Sequence, residues 1–297
     1  MKSGLTIFTP TYNRAYILPK LYNDLLDQSN KNFTWLLIDD GSIDETESLA
    51  QEWIKDNKIT INYFKQPNGG KYTAINKSLE LCLTSYYTII DSDDSVTKDF
   101  VQVFFDNIRQ SDENEQLLGI CTPKHCSNSK HSCETYPKDN EIIFYHELKE
   151  KFNYLGETTV IMKTGIIKNF RFPVFKEEKF MSEVILLNQF FYDYKFLSIN
   201  KHISSSTYLV DGITLNENRL MFQNPYATLC IYKSFAHHWN ALDYHVKYHA
   251  WASAFRLDKK RIEYWPLKGF RNFVGFILAP MTRHIYRRRY KLYKSQL

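Results

Sequence analysis

The chain has 297 residues, enough for one large domain or two modest ones around a buried core. Hydrophobic residues at 43% and charged residues at 24% are those of an ordinary globular protein, and scarce glycine and proline exclude collagen-like and low-complexity readings. The net charge of +5 is uneven: residues 256–297 carry twelve Lys/Arg against Asp258 and Glu263, a balance of +10 that leaves −5 elsewhere.

Met1 leads directly into "LTIFTPTY" with no basic n-region or long apolar core, so no secretory signal is expected. No apolar run is long enough to span a bilayer. The cysteines at 82, 121, 126, 133 and 230 are odd in number and sparse, which suits a reducing cytoplasm.

Two hydrophobic periods alternate over the first 110 residues. "LTIFTPTY" (5–12) reads as a buried strand, and residues 16–28 follow with helical spacing, Pro19 falling in the first turn. "FTWLLIDD" (33–40) is a second strand. Ser42 with Glu45 resembles a capping box opening a helix to about Asn57. "ITINYFKQ" (59–66) is a third strand, residues 72–83 a third helix, "YYTIID" (86–91) a fourth strand and residues 97–110 another helix. This alternation predicts an α/β layer with a mostly parallel sheet. Further on, residues 117–125, 156–164 and 194–210 read as strands, 181–192 as a helix and 225–257 as one long aromatic-rich helix.

The polar clusters "TPTYNR", "DDGS" and "DSDD" all end predicted strands, where open α/β sheets bind ligands. Asp91 and Asp93, spaced D-x-D with Asp94 beside them, offer the hard oxygen ligands that Mg²⁺ or Mn²⁺ prefers. An aspartate in "IDDGS" (38–42) can accept from a uracil imide or a ribose hydroxyl. Thr9 and Tyr12 are placed to line a base pocket, and Arg14 to reach a carboxylate or phosphate. Gly69-Gly70-Lys71 is not a Walker A loop, because Lys65 and Tyr72 stand where glycine and Ser/Thr are required. Lys71 nevertheless enters a helix where it can meet a base or diphosphate. No G-x-G-x-x-G follows the first strand, which argues against a dinucleotide enzyme.

"TPTYNR", "DDGS", "GGKYTAIN" and "DSDD", in this order, resemble the nucleotide-binding half of family 2 glycosyltransferases with the GT-A fold. The resemblance is strong over residues 3–110 and continues through "FKEEKFMSE" (175–183) and "DGITLN" (211–216), similar to a bacterial surface-polysaccharide subgroup. It implies inverting transfer from a nucleotide-sugar, usually a UDP-sugar, with Mn²⁺ or Mg²⁺, to a glycan or lipid-linked hydroxyl. By that similarity Thr9, Pro10, Tyr12, Arg14, Asp39, Asp40, Lys71, Asp91, Ser92 and Asp93 bind the donor, and Asp91, Asp93 and Asp94 surround the metal. The family commonly carries a Glu-Asp pair supplying the base. Here Val184 follows Glu183, so Glu183 is the first candidate and Glu178 the second.

The expected layout is a nucleotide-sugar-binding half at 1–115, an acceptor and catalytic half at 116–220, and a basic helical extension at 221–297. Within the extension, residues 268–294 place a short apolar run between basic flanks. That suits an anionic membrane surface on the inner face of the plasma membrane better than nucleic acid, for which no base reader is present. Cys121, His125, Cys126, His131 and Cys133 match no standard zinc spacing, and His238, His245 and His249 are interleaved with aromatics, so neither group is assigned as a site. The alternatives to an enzyme of this family are a non-catalytic nucleotide-sugar-binding module and a nucleotidyltransferase. The latter is disfavoured by the absence of a glycine-rich N-terminal loop.

Overall fold

The computed structural model describes residues 2–112, 114–126, 135–136, 138–207, 209, 212–238, 242–259, 267 and 269–294. The chain divides into two compact units, one of residues 1–171 with 190–210 and one of residues 172–189 with 211–297.

The first unit opens with β1 (Lys2–Thr11), α1 (Leu18–Leu26), β2 (Phe33–Asp39), α2 (Thr46–Asp56), β3 (Ile61–Lys65), α3 (Lys71–Leu81) and β4 (Thr84–Ile89). It continues through β5 (Ser95–Val96), α4 (Phe100–Asp112), β6 (Leu117–Cys126), β7 (Glu141–Phe144), α5 (Tyr145–Glu150), β8 (Glu157–Lys163) and α6 (Thr164–Ile167). After α7 (Val184–Phe191) it is completed by β9 (Lys195–Ser198) and β10 (Ser204–Ser206).

The sheet runs β3-β2-β1-β4-β8-β6-β10-β5, with β9 pairing β6 and β7. The strands β3, β2, β1 and β4 are parallel, as their alternation with helices requires, whereas β8 is antiparallel to both β4 and β6. β2, an inner strand, is buried on both faces, which is why it reads as a nearly unbroken apolar run, whereas β3 at the sheet edge stays partly exposed. Behind them, Tyr22 of α1 stacks on Trp53 of α2 at 4.2 Å between ring centroids, with Trp35 of β2 fully buried alongside. In α1 the helical spacing buries Leu18, Leu21, Tyr22 and Leu25, and its proline lies in the first turn.

One helix start differs from the capping-box expectation. α2 begins at Thr46, whose amide and hydroxyl both donate to Asp44 Oδ1, at 3.1 and 2.6 Å. Ser42 does not cap it, because its Oγ accepts the Asn13 amide at 2.8 Å and ties two loops together.

The second unit holds α8 (Ile213–Gln223), α9 (Pro225–His238), α10 (Leu242–Phe255) and α11 (Phe270–Lys294). The single long helix read over 225–257 is therefore two, α9 and α10. Folding back lets rings on one helix meet rings on the other: Phe235 stacks on Tyr244 at 4.6 Å, and Tyr232 meets Trp251 edge-on at 5.7 Å. Trp251 is almost fully buried and its indole N–H donates to Pro225 O at 3.0 Å. A straight helix would have left those aromatic faces in water. α11 lies directly against α10, because a side chain on Gly275 would stand 2.6 Å from His245 Cβ.

Candidate functional site

Register brings the polar clusters together. Thr11 at the end of β1 pairs with Asp39 at the end of β2, Asp39 pairs with Lys65 at the end of β3, and Phe8 pairs with Ile89 at the end of β4. The loops after β1, β2 and β4 and the entry to α3 therefore leave one edge of the sheet, the carboxyl edge where such folds hold ligands.

The loops after β1 and β2 are laced to each other. Asn13, with φ at 52°, donates its amide to Ser42 and accepts the Ile43 amide on its Oδ1 at 2.9 Å, while Asp44 accepts the Ala15 amide at 3.0 Å. Asp39 is fully buried. It accepts the Ser42 amide and the Tyr63 hydroxyl, each at 2.7 Å, and burial together with this bond drives the Tyr63 phenol well above its ordinary pKa. Asp40 accepts the Gly69 amide at 3.0 Å, the Gly70 amide at 2.7 Å and the Gln66 side chain at 2.7 Å, so it fixes the loop that launches α3. Gly41 makes the turn at φ 87°, and a Cβ there would lie 2.9 Å from the Asn68 amide nitrogen, so no other residue fits without strain.

The acidic tip follows β4. Lys71, the first residue of α3, places Nζ 2.7 Å from Asp91 Oδ2. Asp91 Oδ1 is buried and has no hydrogen-bond partner among the described residues. Burial works against the Asp91 charge, yet the ammonium groups of Lys71 and Lys124 outweigh it and hold the carboxyl below its usual range. Burial first, and then the Asp91 charge, raises the pKa of Asp93. Asp94 is pushed up to about 7 by burial, against the pull of Lys124, whose Nζ lies 2.7 Å from Asp94 Oδ2. That same oxygen accepts the Asp91 amide at 3.3 Å, so Asp94 braces the tip from within. Lys124, in β6, is itself raised by the carboxylates it faces even though burial opposes its charge, and Glu157 stands 3.8 Å away.

A divalent cation fits this chemistry. Two part-buried carboxylates spaced D-x-D, one oxygen of which lacks a partner among the described residues, are hard ligands of the kind Mg²⁺ and Mn²⁺ take together with phosphate oxygens and water. Among the described residues no three His, Cys, Asp or Glu side chains form a cage. Asp91 and Asp93 would therefore share the ion with a ligand rather than enclose it, and the oxygen of Asp94 that bonds Lys124 serves the brace.

The remaining donor-site candidates divide by exposure. Thr9 and Pro10 are buried in β1, and the Thr9 hydroxyl accepts the Trp35 indole N–H at 2.9 Å. Tyr12 is 46% exposed. Arg14 lies half-buried on the same loop, where its charge favours ionised Asp91 and Asp93. Ser92 is buried between the two acids. In the second unit, Glu178 is buried and accepts the amides of Tyr226 at 2.8 Å and Ala227 at 2.7 Å, the first turn of α9. Its carboxylate thus caps a helix N-terminus. Glu183 is half-buried just ahead of α7, and its carbonyl accepts the Leu187 amide at 3.2 Å.

Lys124, Gln66 and Tyr63 were missed by sequence reasoning. A lysine inside the apolar strand "LLGICTPKH" was the one signal available, since lysine is rarely buried without a partner. Of the cysteine and histidine motif, Cys121 and Cys126 are buried free thiols, whereas His131 and Cys133 lie outside the described residues.

Residues 6–170 match the profile of glycosyl transferase family 2. The chain belongs to this family. Its α/β sheet with flanking helices is that of GT-A glycosyltransferases, and a C-terminal helical region accompanies it. S. aureus TarS 1-349, solved in complex with UDP-GlcNAc, superposes with a TM-score of 0.62 at 17% identity, over 94% of this chain and 79% of that one. Glucosyl-3-phosphoglycerate synthase from Mycobacterium tuberculosis, solved with Mn²⁺ and UDP, gives 0.51 at 13% identity, over 78% and 80%. The GalNAc(5)-diNAcBac-PP-undecaprenol beta-1,3-glucosyltransferase of Campylobacter jejuni is 27% identical over 189 residues, 61% of this chain. The putative teichuronic acid biosynthesis glycosyltransferase TuaG of Bacillus subtilis is 33% identical over 99 residues, 33% of this chain. These matches span 58% of the length of the Campylobacter protein and 39% of TuaG.

Proposed function

We propose that this family 2 member transfers a sugar from a UDP-sugar to a hydroxyl of a glycan or lipid-linked acceptor in surface-polysaccharide assembly, with inversion at the anomeric carbon. The observation that carries the reading is the buried Oδ1 of Asp91, without a hydrogen-bond partner among the described residues, at a strand tip that also bears Asp93 and meets the Lys71 amine. The UDP-GlcNAc complex of TarS and the undecaprenol-linked substrate named for the Campylobacter relative favour this donor and acceptor class.

In this reading the nucleoside lies against the Tyr12 face of the β1 loop, in a cradle whose shape Asp39 and Asp40 hold by their bonds to the loop backbone. Asp91 and Asp93 would hold Mn²⁺ or Mg²⁺, which when bound neutralises charge on the diphosphate. Lys71 and Arg14 add positive charge on the same side. Glu183 takes the acceptor hydroxyl proton while the new O–C1 bond forms and the C1–O(phosphate) bond breaks, its electron pair leaving with UDP. Glu178 is already committed to the N-terminus of α9, which makes Glu183 the stronger candidate. A lipid-linked acceptor places the reaction at the cytoplasmic face of the plasma membrane. Among the described residues no helix is long and apolar enough to cross a membrane.

The test is UDP release from a panel of UDP-sugars with Mn²⁺, without acceptor. Slow hydrolysis of one donor, abolished in Asp91→Asn, is expected. UDP binding without turnover of any donor would instead leave a nucleotide-sugar-binding module.

A further inference from the structure

The helix α11 is two-faced in an unusual sense. Toward α10 it turns small residues, Gly275 and Ala279, both buried. Away from that contact, Phe270, Phe273, Ile277, Met281 and Ile285 recur at i, i+3, i+7, i+11 and i+15 and form one stripe along the helix. Of these, Phe270 is 79% exposed, Phe273 60% and Met281 69%, so the largest apolar side chains of the helix stand in water. Packing within the second unit does not explain them.

The same stripe becomes basic toward the C-terminus. Arg288 falls on the line of Phe270, five turns on, with Arg287 and Lys291 flanking it, and all three are exposed. Residues 270–294 contain no Asp or Glu. Beside this basic end, Arg256, Arg287 and Lys291 line a concavity of about 320 Å³ together with Phe255 and Tyr290. A lining of cations and aromatic rings suits a phosphate that carries an apolar body.

We propose that this face of α11 docks on an anionic lipid bilayer, with Phe270, Phe273, Ile277 and Met281 entering the headgroup–acyl boundary and the basic end holding lipid phosphates. Apolar insertion beside a uniformly positive band is the chemistry of an interfacial helix. A second copy of the chain is a poorer occupant, since parallel pairing would oppose one basic band to another and antiparallel pairing would lay each on an apolar stripe. The inference uses nothing about the donor, so its failure leaves the transfer reading standing.

Flotation of the full chain with phosphatidylcholine vesicles, with and without phosphatidylglycerol, tests it. Binding is expected only with phosphatidylglycerol. Phe273→Asp/Ile277→Asp and, separately, Arg287→Glu/Arg288→Glu/Lys291→Glu should each abolish it while thermal unfolding and UDP release stay unchanged. Each basic residue near the surface contributes roughly fivefold, so the triple reversal should lower affinity by about 100-fold or more. No flotation of the unmodified chain, or flotation of either variant equal to that of the unmodified chain, overturns the proposal. So does a dimer in light scattering that Phe273→Asp/Ile277→Asp splits, with no vesicle binding, because the stripe would then belong to a second copy.

Discussion

Lys71 Nζ and Asp91 Oδ2 are 2.7 Å apart, so the first side chain of α3 holds a carboxylate just beyond the end of β4. The pair spans 20 residues of sequence and keeps Asp91 ionised inside a site whose burial disfavours charge. Removing the amine should raise the Asp91 pKa and remove a positive charge from the diphosphate. Lys71→Met should therefore lower donor turnover by about 10²-fold, the usual cost of losing one preorganised electrostatic group. Lys71→Arg should retain part of it. Isothermal calorimetry of UDP at several Mn²⁺ concentrations checks the cause: in Lys71→Met uptake should be weaker and recover at higher pH.

The ion pair of Lys124 with Asp94 is more buried, at 14% and 6% side-chain exposure. Lys124→Met leaves a carboxylate with no cation beside it and should cost about 3 kcal/mol at pH 8. Asp94 already has a raised pKa, and without Lys124 it rises further, so the folded state binds a proton that the unfolded chain releases. Stability of the variant should therefore fall as pH rises from about 5 to 8. Lys124→Met/Asp94→Asn should recover much of the loss and flatten that slope. Thermal unfolding of the three proteins across this range decides the matter, and equal slopes would remove the brace.

The two glutamates of the second unit should separate by phenotype. Glu183→Gln should abolish transfer with UDP binding intact and the melting temperature unchanged. Glu178→Gln should destabilise by about 1–2 kcal/mol, because it weakens a charged acceptor of two helix amides. Retained turnover in Glu183→Gln, with loss in Glu178→Gln at full stability, would reverse the assignment.

Acid should loosen the second unit through His249. Lys259 Nζ lies 2.8 Å from His249 Nδ1, and an ammonium can only donate, so the ring proton sits on Nε2 and is donated to Asn272 Oδ1 at 2.7 Å. Burial, helped by the Lys259 charge and opposed by the Asn272 bond, depresses the His249 pKa to about 4. The unfolded chain takes up a proton near pH 6.5 that the folded one refuses, so stability is lost as pH falls from about 6.5 to 4, by roughly 2–3 kcal/mol. Near-UV circular dichroism during acid titration should show the transition, and His249→Gln should shift it to lower pH.

Much of this architecture is legible along the chain because it is local. A strand buried on both faces is continuously apolar, a helix over it repeats every three to four residues, and carboxylates at a strand end announce themselves wherever the strand stops. Hence β1 to β4, α1 to α3 and the position of "DSDD" agree with their sequence signals. Local signals also mislead where a side chain has a distant partner. Ser42 has capping chemistry but is taken by Asn13, and Glu178 resembles a free acid but is taken by the α9 amides. Likewise α9 and α10 share one period, and only the rings they bury against each other explain why they are separate helices.

The amino-acid order alone determined the parallel core and the three polar loops, since each follows from periodicity or from residues a few positions apart, and those loops carry the motifs that resemble the family. Tertiary structure decided which acids brace the fold, and it brought Lys124 to Asp94, because β10 pairs with both β5 and β6 and sets Ser205 opposite Ser95 on one side and His125 on the other. It also decided which side of α11 faces water. The physical reason is that charge and burial act through space at distances of a few ångströms, and strand order sets those distances independently of separation along the chain.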